Sequence, residues 1–373
     1  MADPDTPAGT GDADEPPPDA VRRDWLGGGM SLPRVVGPVS QTALSLVITF
    51  LGLLFVTFFI GRIIPIDPVL AIVGDRATQQ QYETARHALG LDRPIPEQFV
   101  IYIRDVLTGN FGTSLLTARP VIEDVAQAFP ATLELATIAT LLGVILGVPA
   151  GVASAVYQGR WPDQVIRVVG LLGYSMPVFW LGLIALLVFY GRLGWVGGPG
   201  RLDVSYELTY ELDVTHRTGS ILIDSILSGA WDVLGNALSH IALPAAVLGY
   251  FSLAYISRMT RSFMLEQLGQ DYVTTARVKG LPEWRVVWVH ALGNAMVPLI
   301  TVIVLSYAYL LEGSVLTETV FAWPGIGLYI TNALFALDMS AVLGGTIIVG
   351  FFYIGLNLLS DILYRFVDPR ARA

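Results

Sequence analysis

Residues Ala131 to Val156 read ATLELATIATLLGVILGVPAGVASAV, and this stretch decides the class of the fold. It contains one charged residue, Glu134. It also exceeds the ~20 apolar residues that an α-helix needs to cross ~30 Å of hydrocarbon at 1.5 Å per residue. The stretch therefore predicts a membrane-spanning α-helix.

Five more apolar runs lie along the chain. Together the six cover roughly residues 41–64, 131–156, 165–190, 238–256, 291–311 and 341–359. Hydrophobic residues make up 53% of the chain and charged residues only 14%, whereas a soluble domain carries about 25% charged residues. The pattern predicts an all-α polytopic membrane protein with six transmembrane helices. The run at 238–256 is the least secure because it contains His240 and Pro244.

The first forty residues differ sharply in composition. Asp, Pro, Gly and Ala dominate residues 1–40, which predicts a disordered acidic tail. Six acidic residues precede the first basic residue of the chain and account for much of the formal charge of −9: Asp3, Asp5, Asp12, Asp14, Glu15 and Asp19. A nucleic-acid partner is disfavoured, because phosphate binding needs a concentrated basic face. The chain has no cysteine, which excludes disulfides, thiolate metal sites and a cysteine nucleophile.

The positions of basic residues predict the orientation. The segment 312–340 has no lysine or arginine, whereas the segment 258–285 has five. Cytoplasmic loops carry the excess of these residues, so we expect 258–285, the tail 1–40 and the C-terminal tail 368–373 to be cytoplasmic. Arg62 lies at the outer end of the first span, against this rule, and Asp67 is close enough in sequence to pair with it.

Two segments on the opposite side of the membrane are too long to be simple turns. Residues 65–130 and 191–237 are expected to form small extracytoplasmic structures. In the first segment, apolar residues recur at helical spacing after two prolines: Phe99, Tyr102, Ile103, Val106 and Leu107. This spacing predicts an amphipathic helix whose apolar face packs on the rest of the protein, in preference to a face that docks a partner.

The sequence offers little for catalysis. Lys279 is the sole lysine and does not belong to a GxxxxGK[ST] loop, so no ATP site is expected on this chain. No GxSxG elbow or HExxH helix occurs. Ionisable residues of the spans fall near their ends, namely Glu134, Arg167, Glu312 and Asp361, which leaves an ion-coupled carrier as a minor alternative.

The cytoplasmic segment 271–285 reads DYVTTARVKGLPEWR. Asp271 is expected to cap a short helix, and Gly280 to end it in the left-handed conformation. Pro282 and Glu283 can then open a second helix. Ala276 and Gly280 have little bulk, which would let the cleft of another protein approach closely, although a solvated basic loop is the simpler alternative.

This segment resembles the signature of ABC importer permeases. Ala276, Gly280 and Leu292 match the signature, and Thr274 and Thr275 occupy its preceding positions. The longer string from Asp271 to Gly280 is similar to the first (B-type) permease of the dipeptide, oligopeptide and nickel importers. Further similar stretches are Leu89–Pro94, Gly109–Ser114, Pro130–Leu135, Thr319–Gly327, Asp361–Tyr364 and Asp368–Arg370. The tail and the insertion 191–218 have no counterpart in the family.

The resemblance implies a division of labour among several chains. A second homologous permease would complete the pathway, two ATPase subunits would bind ATP and Mg, and an extracytoplasmic binding protein would deliver the peptide. Residues 131–367 would form a five-helix core in the cell membrane. The loop 266–290 would couple this core to an ATPase through Asp271, Thr274, Thr275, Ala276, Gly280 and Leu292. Substrate-lining residues stay unassigned, and nickel or another small solute is the alternative cargo.

Two other features have structural interpretations. Gly143, Gly147 and Gly151 lie on one helical face, and small residues four apart let membrane helices pack closely. Trp323, followed by Pro324 and Gly325, is expected to anchor a turn at the membrane interface.

Overall fold

The computed structural model describes residues 38–63, 68–74 and 76–367. Every regular element in those ranges is a helix, apart from one isolated bridge between Thr113 and Pro120. The chain divides into two units at Ile48 and Thr49, and the described part of the first unit is the beginning of the first helix. Most of the predicted tail 1–40, the tail 368–373 and Asp67 lie outside the described residues.

The helices are numbered here in chain order. The first nine are α1 (Pro38–Ile63), α2 (Pro68–Val73), α3 (Gln79–Ala88), α4 (Ile95–Leu107), α5 (Val121–Val156), α6 (Trp161–Ser175), α7 (Val178–Ala185), α8 (Val204–Asp213) and α9 (Ile221–Ser228). They are followed by α10 (Trp231–Leu268), α11 (Asp271–Val278), α12 (Glu283–Arg285), α13 (Leu292–Gly313), α14 (Val315–Val320), α15 (Ile326–Phe335) and α16 (Met339–Val367). Two π-helical segments, Leu186–Arg192 and Val286–Ala291, extend α7 and join α12 to α13.

The described residues contain five helices that are long and apolar enough to cross a membrane. They are Leu44–Ile63, Val121–Val156, Trp231–Leu268, Glu283–Leu311 and Met339–Ser360. The helix α6 and the extended α7 are long and apolar enough only as a pair, and they meet at an angle of 102°. The described residues hold six spans when this bent pair is counted as one. The prediction of an all-α protein with six apolar spans is confirmed, with the third span broken.

The break in the third span has a local cause. Met176 is extended, with φ −91° and ψ 136°, and Pro177 follows it. Proline disfavours the helical conformation in the residue before it and lacks the N–H that would continue the hydrogen-bond ladder. The prediction of one continuous helix over 165–190 is therefore wrong at this point.

The glycine stripe of α5 packs directly on α10. A Cβ atom at Gly147 would lie 3.1 Å from the carbonyl oxygen of Leu253, and one at Gly151 would lie 2.6 Å from that of Ser257. A Cβ atom at Gly143 would collide with Ser252. The two helices therefore touch along their backbones, as the spacing of the glycines predicts. Beside this contact lies a buried apolar cluster that includes Val152, Ile256, Met264, Ala295 and Leu299.

The amphipathic helix predicted after Pro94 is present as α4. Its residues Phe99, Tyr102, Ile103 and Val106 pack with Leu54 of α1 and Ile347 of α16, which confirms the packing interpretation. Leu107 is the exception, because its side chain is 69% exposed.

Polar contacts hold the segment 191–237 against α5. Glu134 accepts hydrogen bonds from the guanidinium of Arg201, from the hydroxyl of Ser220 at 2.6 Å and from the backbone N–H of Leu222 at 2.9 Å. The helix α5 begins at Val121, ten residues before the predicted start. Glu134 consequently lies inside the helix, where Arg201 neutralises its buried charge.

Trp323 does not anchor the protein at the membrane interface. Its side chain is buried, and its indole Nε1 donates a hydrogen bond to the carbonyl oxygen of Ala131 at 2.8 Å. The neighbouring carboxylate of Glu318 is also buried and accepts hydrogen bonds from Thr132 at 2.7 Å and Ser314 at 2.9 Å. The segment around Trp323 is thus fixed to the beginning of the second span, which corrects the interfacial assignment.

Candidate functional site

The predicted helix, glycine turn and second helix are present in the segment 271–285. The N-cap position is taken by Gln270, so Asp271 is the first helical residue and not the cap. Gly280 has a φ of +77°, and its N–H donates to the carbonyl oxygen of Arg277 at 3.0 Å. Pro282 then precedes α12. Gly280 therefore ends α11 in the left-handed conformation that glycine adopts without steric penalty.

One face of α11 packs against the chain itself. Val273, Ala276 and Val286 form a small buried cluster, covered by Leu268, Tyr272 and Leu281. Only 8% of Ala276 is exposed, so its small size serves this internal packing. Ala276 therefore contributes little to the exposed surface of α11.

Leu292 is also separate from the exposed part of this segment. It begins α13 and packs against the apolar cluster around Ala291 and Leu299. Its match to the family signature consequently reflects the packing of a spanning helix.

The opposite face of α11 is exposed. Asp271, Thr274 and Thr275 all lie on it, and Gly280 follows at its end with no atom within 4 Å of a Cβ built there. Val278 belongs to the same face and is 83% exposed. We name these five residues the outer face of α11. The side chains of these five residues are short, and the longer exposed side chains of Arg277 and Lys279 lie beside them.

Sequence reasoning missed two exposed apolar side chains here, Val278 and Trp284. Val278 lies three and four residues after Thr275 and Thr274, so helical spacing alone could have placed it on the outer face. Trp284 is 60% exposed at the start of the second helix. Nothing in its local sequence distinguishes it from a tryptophan that packs inward.

An ion pair spans the glycine turn. The guanidinium of Arg277 donates to both carboxylate oxygens of Glu283, at 2.6 and 3.1 Å. These hydrogen bonds, with the negative charge of Glu283, raise the pKa of Arg277 above its ordinary value. The pair joins α11 to α12 across Gly280, but both side chains are about half exposed, so it adds little to the packing of Val273 and Ala276 against Val286.

Both ends of the segment lead directly into membrane-spanning helices. The helix α10 ends at Leu268 and is separated from α11 by two residues, and the segment Val286–Ala291 continues from α12 into α13. Any displacement of α11 therefore acts on two spans at once.

A buried ion pair ties the cytoplasmic end of α10 to the turn between α5 and α6. Asp163 is 1% exposed and accepts hydrogen bonds from Arg261 at 2.8 and 3.0 Å. The hydroxyl of Ser154 and the N–H of Gly159 donate to the same carboxylate. With all of these donors in place, α5, α6 and α10 are locked together on the side of the membrane where α11 lies.

The described part of the chain holds no group of three His, Asp or Glu side chains that could bind a metal ion. The arrangement around α11 is suited to mechanical contact with another protein, because it combines an exposed short helix, a glycine turn and rigid connections to several spans.

Two family comparisons decide the class of protein. Residues 147–373 match the family described as binding-protein-dependent transport system inner membrane component, and residues 39–136 match its N-terminal counterpart. The chain belongs to this family. It is a multi-pass membrane permease of the ABC transporter class.

Two curated relatives are similar to this chain over most of its length. The chain is 46% identical over 330 residues to the probable D,D-dipeptide transport system permease protein DdpB of Escherichia coli K12, covering 88% of this chain and 96% of the relative. It is 44% identical over 328 residues to the di/tripeptide transport system permease protein DppB of Pseudomonas aeruginosa UCBPP-PA14, covering 88% and 96%.

Among solved structures, the chain is similar to that of the inward-facing MetNI methionine ABC transporter. The identity is 16%, the match covers 64% of this chain and 93% of that chain, and the TM-score is 0.46.

Proposed function

We propose that the chain is a permease subunit of an ATP-driven importer and forms half of the membrane pathway for di- or oligopeptides. The observation that carries this proposal is the identity of 44 to 46% with permeases named for dipeptides and for di- and tripeptides. Nickel or another small solute is less well supported, because the names of these relatives refer to peptides. Membership of the binding-protein-dependent family argues against an ion-coupled carrier.

The outer face of α11 is the proposed contact with an ATPase subunit. ATP binding would close the ATPase dimer and move the cleft in which α11 is seated. Because α11 connects α10 to α13, and the pair of Arg261 and Asp163 connects α10 to α5 and α6, this movement would turn several spans together. ATP bound to the ATPase subunits, at a distance from the substrate pathway, would in this way shift α11 and its spans between two conformations, as allosteric coupling requires.

The remaining partners follow from the same proposal. A second homologous permease completes the pathway, two ATPase subunits bind ATP and Mg, and an extracytoplasmic binding protein delivers the peptide. The chain itself carries no cofactor and no ATPase activity. It lies in the cell membrane with both termini in the cytoplasm, an orientation supported by the contrast between the basic segment 258–285 and the segment 312–340, which has no basic residue.

Uptake of a labelled dipeptide tests the cargo and the energy source. A strain that lacks the chain should import dialanine only when the chain is restored. Import should continue when a protonophore collapses the ion gradient and ATP is maintained, and excess nickel should not compete. If uptake stops when the ion gradient is collapsed and ATP is maintained, the ion-coupled carrier is favoured. If nickel competes with dialanine, nickel is favoured as the cargo.

A further inference from the structure

A second feature of the molecule lies far from α11. A cleft of about 310 Å³ lies between the end of α1, α4 and the beginning of α16. Its polar lining includes Arg62, Gln98, Tyr102, Asp105, Asn110 and Ser340, and its apolar lining includes Phe58, Ile101, Leu343 and Ile347. The permease function assigns no role to it.

Arg62 is the only cationic side chain that lines the cleft within the described residues. Its guanidinium lies 5.1 Å from the centre of the Phe58 ring, and it forms no ion pair within residues 38–63, 68–74 and 76–367. Asp67, which the sequence offers as a partner, lies outside the described residues. A guanidinium that faces a cleft and pairs with no carboxylate of the described residues is suited to bind an anion such as phosphate.

The cleft also carries a negative group. Asp105 lines it, with a side chain that is 35% exposed, and its ion-pair contact in the described chain is a long one of 3.4 Å with Arg104. The neighbouring amide oxygen of Gln98 is buried without a hydrogen-bond partner. A ligand that satisfies all three groups has an anionic part for Arg62 and a cationic hydrogen-bond donor for Asp105 and Gln98.

The position of the cleft along the spans and its apolar lining are suited to a lipid molecule. Towards its end, α1 also exposes large apolar side chains that do not line the cleft, namely Phe55, Phe59, Ile60 and Ile63. The spanning stretch of α1 ends at Ile63, so Arg62 lies at the level of the lipid headgroups. The apolar lining by Leu343 and Ile347 continues from this level along α16.

We propose that the cleft binds the headgroup of one phosphatidylethanolamine molecule, with its phosphate on Arg62 and its ammonium on Asp105. Phosphatidylglycerol would leave Asp105 without a cation, and the choline group of phosphatidylcholine has no N–H to donate. A zwitterionic peptide carries the same two charges, but it does not explain the apolar lining that continues toward the hydrocarbon. The proposal depends on α1 crossing the membrane, and not on the cargo of the importer.

Native mass spectrometry of the transporter complex that contains the full chain tests this proposal. The purified complex is delipidated and titrated with phosphatidylethanolamine, phosphatidylglycerol or phosphatidylcholine. Arg62→Gln is compared with Arg192→Gln, a matched loss of one arginine from an exposed side chain that does not line the cleft. We expect one tightly held phosphatidylethanolamine on the wild type, with the Kd raised at least tenfold by Arg62→Gln and unchanged by Arg192→Gln.

Asp105→Asn separates the two halves of the ligand. It should raise the Kd for phosphatidylethanolamine, because the ammonium loses its carboxylate partner. It should also remove the preference over phosphatidylglycerol, because asparagine does not repel a purely anionic headgroup. Equal retention of phosphatidylethanolamine by the two arginine variants would overturn the proposal. Displacement of the lipid by dialanine would overturn it as well, since the cleft would then belong to the peptide. Dialanine uptake by the wild type is measured separately, so failure here leaves the import function intact.

Discussion

The buried pair of Asp163 and Arg261 gives the sharpest stability prediction. Replacing Arg261 with Met removes two hydrogen bonds of 2.8 and 3.0 Å and leaves a carboxylate that is 1% exposed without its counter-ion. Breaking a buried pair from one side destabilises a protein by about 3 to 5 kcal/mol. The Arg261 side chain is 23% exposed, so we expect the lower end of this range, about 3 kcal/mol.

Arg258 provides a matched control on the same helix. Its guanidinium lies 4.8 Å from the centre of the Tyr174 ring and forms no ion pair in the described chain. Replacing Arg258 with Met should lower the free energy of unfolding by only about 0.5 to 1 kcal/mol. The assay is unfolding of the purified chain in mixed micelles by titration with SDS.

A double variant tests whether the unpaired buried charge of Asp163 causes the loss of stability. Asp163→Asn together with Arg261→Met removes both charges, so it should be more stable than Arg261→Met alone by about 1 kcal/mol or more. The reasoning is refuted if Arg261→Met and Arg258→Met unfold at the same SDS fraction, or if the second substitution adds its full effect to the first.

Three further predictions concern orientation, nucleotide chemistry and the packing of α11. The chain has no cysteine, so single cysteines can be introduced and labelled without background. Cysteines at the exposed positions Leu212 and Phe335 should react with an impermeant thiol reagent in intact cells, whereas one at Val278 should not. Labelling of position 278 from outside would reverse the orientation. The isolated chain should show only background turnover of Mg-ATP, and activity that persists after stringent removal of partners would contradict the permease assignment. Ala276→Asp buries a charge in the cluster of α11 and should increase proteolysis of the segment 266–290, whereas Thr275→Asp on the exposed face should not; equal protection of the two variants would show that Ala276 is not packed inward.

Much of the architecture could be predicted from local sequence. Spans depend on run length and composition, and the turn at Gly280 depends on a residue that adopts positive φ freely, so both are properties of short stretches. The break at Met176 and Pro177 is also local, but averaging hydropathy over 165–190 conceals a single proline within a strongly apolar run.

The missed features depend on distant partners. Whether Ala276 faces a partner or its own chain is decided by Val286, on the far side of the glycine turn. The sequence around Trp323 is typical of an interfacial residue, and only the fold brings its indole N–H to the carbonyl oxygen of Ala131. Glu134 lies at the edge of an apolar run, and only Arg201, within an insertion, shows how its charge is accommodated. Such contacts have no periodicity by which a sequence could predict them.

The central claim is that α11 transmits ATPase closure, and one pair of glycine variants tests it most directly. Gly280 and Gly229 have φ values of +77° and +70°, and neither has an atom within 4 Å of a Cβ built there. Glutamate at either position therefore introduces similar backbone strain of about 1 to 2 kcal/mol, but only Gly280 belongs to the outer face of α11. In cells with the complete importer, we expect Gly280→Glu to abolish dialanine uptake while membrane levels and capture by the binding protein persist. Gly229→Glu should import normally. Import by Gly280→Glu at the wild-type rate, or an equal loss in both variants, would contradict the account.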